Sequence, residues 1–190
     1  MTDLPPLADT HCHLCLPDFT GDLDQVLARA RLAGVERILV PGVDVASSER
    51  AVQLAEKHRG LYAAVGIHPH YASTYDAQAR ARLRRLAESP RVAAIGEIGL
   101  DYYRDRSPRP DQQRAFADLL ELAAELGLPA VIHNREADED LLQQALPWAA
   151  GRPHPGVLHA FSGDAAAAEE VARAGFYLGV GGPITFPNAE

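Results

Sequence analysis

Short apolar runs rich in Val, Ile, Leu and Ala alternate along this chain with longer stretches in which apolar residues recur every three or four positions. The short runs predict strands at Leu7–His13, Arg37–Pro41, Leu61–Ile67, Val92–Ile98, Ala130–His133, Val157–Phe161 and Phe176–Gly181. The longer ones predict helices at about Asp22–Ala33, Ser47–His58, Asp76–Ala87, Asp111–Leu126, Glu139–Leu146 and Ala165–Ala174. The helix from Asp111 carries the period most clearly, with Phe116, Leu119, Leu120, Ala123 and Leu126 along one stripe. Gly34, Gly60, Gly127 and Gly175 follow the last apolar turn of their helices, where a left-handed residue ends a helix. Pro129 then prevents the helix from continuing and opens the next strand.

Strict strand-helix alternation with near-continuous apolar strands means a parallel sheet covered by helices. The period of about 30 residues is one βα unit. An open doubly wound sheet and a (β/α)8 TIM barrel both fit this alternation. The preferred reading is the barrel type, with seven strands placed and no segment left for an eighth βα unit before Glu190. No low-complexity linker divides residues 1–190, so they read as one domain, incomplete at its C-terminal side as a barrel.

Composition narrows the class further. With 47% hydrophobic and 23% charged residues, disorder and a disulfide scaffold are excluded. Met1–Pro6 has no leader pattern and no apolar run reaches membrane-spanning length, so a cytoplasmic location is expected. A net charge of −8 argues against a broad basic face for duplex nucleic acid, although bound divalent cations supply positive field locally.

The chemistry lies at the strand ends. In Asp9-Thr10-His11-Cys12-His13, strand alternation would bring His11 and His13 to one face roughly 7 Å apart, where both reach one metal ion. Cys12 and Cys15 match a C-x-x-C spacing, but without a second pair they read as buried thiols better than as a redox pair. Glu97 lies in a Gly-flanked apolar strand, a costly place for a carboxylate unless it is paired or holds a metal; a buried salt bridge is the plain alternative. His133 and His159 each end a short apolar strand, so the first, fourth, fifth and sixth strands all finish in a ligand-type residue. In parallel α/β folds, sites are built at that end. Gly66-Ile67-His68-Pro69-His70 adds a second His-x-His, facing substrate or supporting the ligands, or else simply at the surface.

These blocks, together with Gly96-Glu97-Ile98-Gly99-Leu100-Asp101-Tyr102-Tyr103, Pro129–Arg135, His159-Ala160-Phe161-Ser162-Gly163 and Gly182-Pro183-Ile184-Thr185-Phe186, resemble in order the TatD family of metal-dependent deoxyribonucleases in the amidohydrolase superfamily. The resemblance covers essentially the whole chain. It implies a TIM barrel binding two divalent cations (Mg2+, Mn2+ or Zn2+), with His11 and His13 on one, His133 and His159 on the other, and Glu97 bridging. It also implies an aspartate at the end of an eighth strand, for which these residues hold no position; a full barrel needs about 60 to 70 residues more.

The implied activity is hydrolysis of DNA phosphodiesters by metal-activated water, acting on single strands from the 3′ end. Arg135, two residues past His133, is a candidate for a phosphate oxygen, with His68, His70 and Asp101 orienting substrate or ligands. Tyr102, Tyr103 and Phe161 are candidates for base stacking, or else core residues. Two alternatives stay open. One is an amidohydrolase-type enzyme on a small amide or ester, disfavoured because the sole lysine, Lys57, lies in a helix and offers no bridging carbamate. The other is an inactive, metal-binding open barrel that self-associates through unpaired edges.

Overall fold

The computed structural model describes residues 5–187; the reading of Met1–Pro6 as lacking a leader falls partly outside that range, as do the last three residues of the expected domain. Seven strands form one sheet: β1 (Leu7–Asp9), β2 (Val35–Pro41), β3 (Leu61–Val65), β4 (Val92–Asp101), β5 (Ala130–Arg135), β6 (Gly156–His159) and β7 (Tyr177–Leu178). Every neighbouring pair is parallel and the strand order follows the chain order, β1 to β7. A doubly wound sheet reverses direction at a switch point. This one never does, which decides for the singly wound, barrel-type course. Among the described residues, β1 and β7 do not pair with each other.

Six helices connect the strands: α1 (Leu23–Leu32), α2 (Val45–Lys57), α3 (Ala77–Leu86), α4 (Arg109–Leu126), α5 (Asp138–Ala149) and α6 (Ala165–Arg173). Their starts follow from local chemistry. At α2 the Asp44 carboxylate accepts the Ser47 N–H at 2.7 Å while the Ser47 hydroxyl accepts the Asp44 N–H at 2.9 Å, a reciprocal capping box. Gly127 ends α4 with φ of 66°, as the punctuation predicts. Among the described residues no helix is long and apolar enough to cross a membrane.

The main core lies between helices and sheet, where Leu83, Ile95, Phe116, Leu119, Ile132, Leu141 and Leu158 are fully buried. The opposite face of the sheet carries a smaller cluster of Ala64, Ala94 and Val131, with Leu39 and Val157 against it. Small side chains are expected where a sheet curls and its inner-facing residues converge.

Four strands end earlier than the hydrophobic pattern predicts: β1 at Asp9 and not His13, β3 at Val65 and not Ile67, β6 at His159 and not Phe161, and β7 at Leu178 and not Gly181. His11 and His13 therefore stand on the loop that follows β1. The Asp9 carboxylate accepts the His11 backbone N–H at 3.0 Å and turns the chain out of the ladder there. β4 is longer than predicted: its pairing with β5 runs on through Gly99↔His133 to Asp101↔Arg135.

Candidate metal centre

The C-terminal strand ends converge on one carboxylate. Glu97, 2% exposed, has His11 Nε2 and His13 Nε2 each 3.3 Å from Oε2. On its other oxygen, His133 Nδ1 lies at 3.0 Å and His68 Nε2 and His159 Nε2 at 3.7 Å from Oε1. The partners of this buried acid are five imidazoles, and no arginine or lysine reaches it among the described residues. The flanking glycines admit the crowding. A Cβ on Gly96 would stand 2.6 Å from Val131 Cβ, and one on Gly99 would collide with the His133 carbonyl oxygen.

Beside this cluster, Asp101 (1% exposed) points Oδ2 at His70 Nε2, 2.9 Å away, and at His133 Nε2, 3.2 Å away. His133 therefore bridges two carboxylates. The His11 and His159 rings stack, 3.5 Å between centroids and 10° between planes. His11, His13 and Glu97 form one group that fits a metal ion; His68, Glu97 and His133 form a second.

Hydrogen bonding distinguishes these histidines. His13 Nδ1 lies 3.0 Å from the Pro41 carbonyl oxygen, so it carries the hydrogen and leaves Nε2 as the ligating atom. His68 is the reverse. Its Nδ1 accepts the His70 backbone N–H at 3.1 Å, so in the neutral ring Nε2 holds the hydrogen and aims it at Glu97. His68 is buried and faces the carboxylate as a donor; it does not lie at the surface.

Charge states follow from the same contacts. Burial opposes protonation of His13, yet hydrogen bonding with Cys15 and Glu97 and the negative charge of Glu97 raise it to about 10. Burial drives His68 down to about 3, and burial with the His11 ring alongside drives His159 down to about 4. Burial alone would raise Glu97, but hydrogen bonds from His11, His13 and His133 hold it well below the usual carboxylate range. The donor set therefore fits divalent cations: an ionised buried carboxylate faced by imidazoles, with a proton on His13 where positive charge is called for.

The remaining candidates fall as follows. Arg135 is exposed, its guanidinium 4.0 Å from the Tyr103 ring centroid. The Tyr102 hydroxyl donates to Asp140 at 2.6 Å with Arg109 over its ring, and Phe161 is half-buried against the core. Cys15 is buried, its Sγ 3.3 Å from the Pro41 carbonyl; burial, Asp9 and Cys15 raise the Cys12 thiol, opposite to what a reactive thiolate needs. Gln112 was missed by sequence reasoning. It is fully buried and its amide bonds to the Asp101 N–H, the Asp101 carbonyl and the Ser107 carbonyl. A polar residue on the apolar stripe of α4, at spacings of four and seven from Phe116 and Leu119, was the available signal.

A singly wound parallel β/α sheet with a histidine-carboxylate cluster at its C-terminal edge defines a barrel-type scaffold of the metal-dependent hydrolase kind. The model of the TatD related DNase family matches residues 8–190, and the chain belongs to that family. It is 41% identical over 187 residues to the metal-dependent hydrolase YabD of Bacillus subtilis, covering 97% of this chain and 72% of that protein. It is also 41% identical over 174 residues to a 3'-5' ssDNA/RNA exonuclease TatD of Cronobacter turicensis, covering 92% of this chain and 66% of the relative. The crystal structure of the TatD homologue YjjV from Escherichia coli superposes with a TM-score of 0.90 at 36% identity, over 97% of this chain and 71% of that one.

Proposed function

We propose that this chain carries the centre of a metal-dependent nuclease that hydrolyses phosphodiester bonds of single-stranded DNA from the 3′ end. The observation that carries the reading is Glu97: a buried, ionised carboxylate facing five imidazole rings at 3.0–3.7 Å. His11 and His13 would hold one divalent cation, His133 and His159 a second, and Glu97 both; Mg2+, Mn2+ and Zn2+ are the candidates. Such ions, when bound, lower the pKa of water and polarise a phosphoryl oxygen.

The protein's own groups do the rest. Asp101 orients the His133 ring from the side opposite Glu97 and fixes His70. His68 directs a hydrogen toward Glu97 Oε1 from 3.7 Å. Arg135 supplies a fork of N–H donors for a substrate phosphate. The names of relatives support single-stranded DNA or RNA as substrate and digestion from the 3′ end.

The same proposal includes self-association. A cleft of about 490 Å³ lined by Leu39, Ala94, Val131, Val157 and Leu178 opens the inner face of the sheet, and strand edges such as those of β1 and β7, which do not pair with each other among the described residues, favour pairing between copies. Light scattering on the chain would read a dimer or larger assembly.

The deciding experiment is digestion of 3′- and 5′-labelled single-stranded DNA with Mg2+, Mn2+ or Zn2+, beside His133→Ala. Metal-dependent shortening from the 3′ end, absent in the variant, supports the reading. Metal binding without any cleavage would replace it with the inactive open barrel.

A further inference from the structure

β5 carries the chain two residues beyond the cluster, from His133 to Arg135; β4 ends at Asp101, in register with Arg135, and the turn after it brings in Tyr103. The Tyr103 ring is 50% exposed, with the Arg135 guanidinium carbon 4.0 Å from its centroid and that of Arg104 at 5.2 Å. Arg104 is tied to the centre as well: its backbone N–H donates to Asp101 Oδ1 at 2.7 Å. Among the described residues neither Arg104 nor Arg135 has a carboxylate within salt-bridge distance. Arg109, in the same segment, differs: it lies 3.5 Å from Asp105 and covers Tyr102.

A guanidinium laid against an aromatic ring is oriented by it, yet its N–H donors point outward in the guanidinium plane. Two such forks without a carboxylate partner, in a chain of net charge −8, are suited to phosphate. Alternation along β5 separates Arg135 from His133 by about 7 Å, close to the spacing of successive backbone phosphates in an extended strand.

We propose that Tyr103, Arg104 and Arg135 form a phosphate-binding ledge beside the metal centre, which engages backbone phosphates next to the reacting one and makes the site select a polynucleotide over a mononucleotide ester. This rests on the nuclease reading above. Tyr103 acts as the positioning residue that holds the two guanidiniums in place.

The test is the salt dependence of binding by the full chain with Mn2+, using a fluorescent phosphorothioate strand of about twenty thymidines. Arg104→Gln and Arg135→Gln are each expected to reduce the slope of log K against log salt by about 0.7, the value for one phosphate contact on a single strand. Tyr103→Ala should lower the slope as well, and Tyr103→Phe, which keeps the ring, should restore it. Hydrolysis of a p-nitrophenyl nucleotide ester, which offers no neighbouring phosphate, should be unchanged in Arg104→Gln. Unchanged slopes in the arginine variants, with the parent binding the strand, would overturn the ledge and leave the nuclease reading standing. Failure of the parent to bind the strand at all would overturn both.

Discussion

Gln112 and Asp101 are joined twice: Gln112 Oε1 accepts the Asp101 backbone N–H at 2.9 Å, and Gln112 Nε2 donates to the Asp101 carbonyl at 3.3 Å. The same Nε2 donates to the Ser107 carbonyl at 2.8 Å, and the Ser107 hydroxyl donates to the His70 carbonyl at 3.0 Å. One amide on α4 therefore ties the end of β4 to the segment bearing His68 and His70. Asp101 is in turn the residue that orients His70 and His133, so the position of the centre depends on a side chain that touches none of its ligands.

Gln112→Ala should therefore weaken both fold and turnover. The substitution leaves a buried N–H and a buried carbonyl without partners, at about 1–3 kcal/mol each. Urea unfolding should show a loss in that range. Steady-state kinetics should show kcat falling more than KM, because the substrate-facing surface is untouched while the His133 orientation is lost. A variant of unaltered stability would show that water replaces the amide.

Glu97→Gln keeps the shape of the side chain and removes the charge that holds the imidazoles and any cation. For the parent chain, metal at a hundredfold excess over Kd adds about 2.7 kcal/mol of stability. That corresponds to a rise in Tm of about 5 to 10 °C for a chain of this size, reversed by EDTA. The variant should show no rise with Mn2+ or Zn2+ in thermal scanning. A full rise would mean that the histidines bind metal without the carboxylate.

His68 and His133 both approach Glu97 Oε1, but the former spends its Nδ1 on the His70 backbone N–H. His68→Gln retains a donor and an acceptor and should keep the full metal content while slowing turnover. His133→Ala should lose about one of two bound ions and nearly all activity. Elemental analysis after gel filtration distinguishes them; loss of an ion from His68→Gln would make His68 a ligand.

Much of this was legible in the sequence, and the misses have definite causes. Alternation of short apolar runs and amphipathic stretches placed all seven strands and six helices, most clearly at β3 and β4, which are largely buried on both faces. Barrel-type winding was beyond the pattern alone, since doubly wound sheets share it; strand order decided it. The overextended first strand arose because His11 and His13 alternate like strand residues, whereas the Asp9 carboxylate turns the backbone before them. That His11, His13, Glu97, His133 and His159 share the C-terminal end of the sheet was read from the strand ends, whereas the bridging place of Glu97 came only from the family resemblance. The closeness of His68 was not legible, because Pro69 marked it as a turn and only the fold brings that turn over β4. Gln112 was hidden in a helix whose stripe was otherwise apolar.

The metal-free protein should be most stable near pH 6.5, for reasons of opposite sign in two groups of histidines. His68 and His159 are held down to about 3 and about 4 by burial, below their ordinary value of 6.5. As pH falls below 6.5 the unfolded chain takes up protons that the native rings refuse, so stability falls on the acid side until those values are passed. Glu97, held well below the carboxylate range, adds to the loss at still lower pH, where the unfolded chain protonates its carboxylate first. His13 works in the other direction. Raised to about 10, it binds a proton in the native state that the unfolded chain has released, so its contribution is complete below 6.5 and disappears as pH rises toward 10. A divalent cation competes for the position of that proton, so binding should release protons at pH 8 and remove the alkaline decline. Thermal scans from pH 4 to 10 with EDTA should give a maximum near 6.5, and scans with saturating Zn2+ a plateau extending to higher pH. An alkaline decline identical with and without metal would show that His13 keeps its proton and is not a ligand.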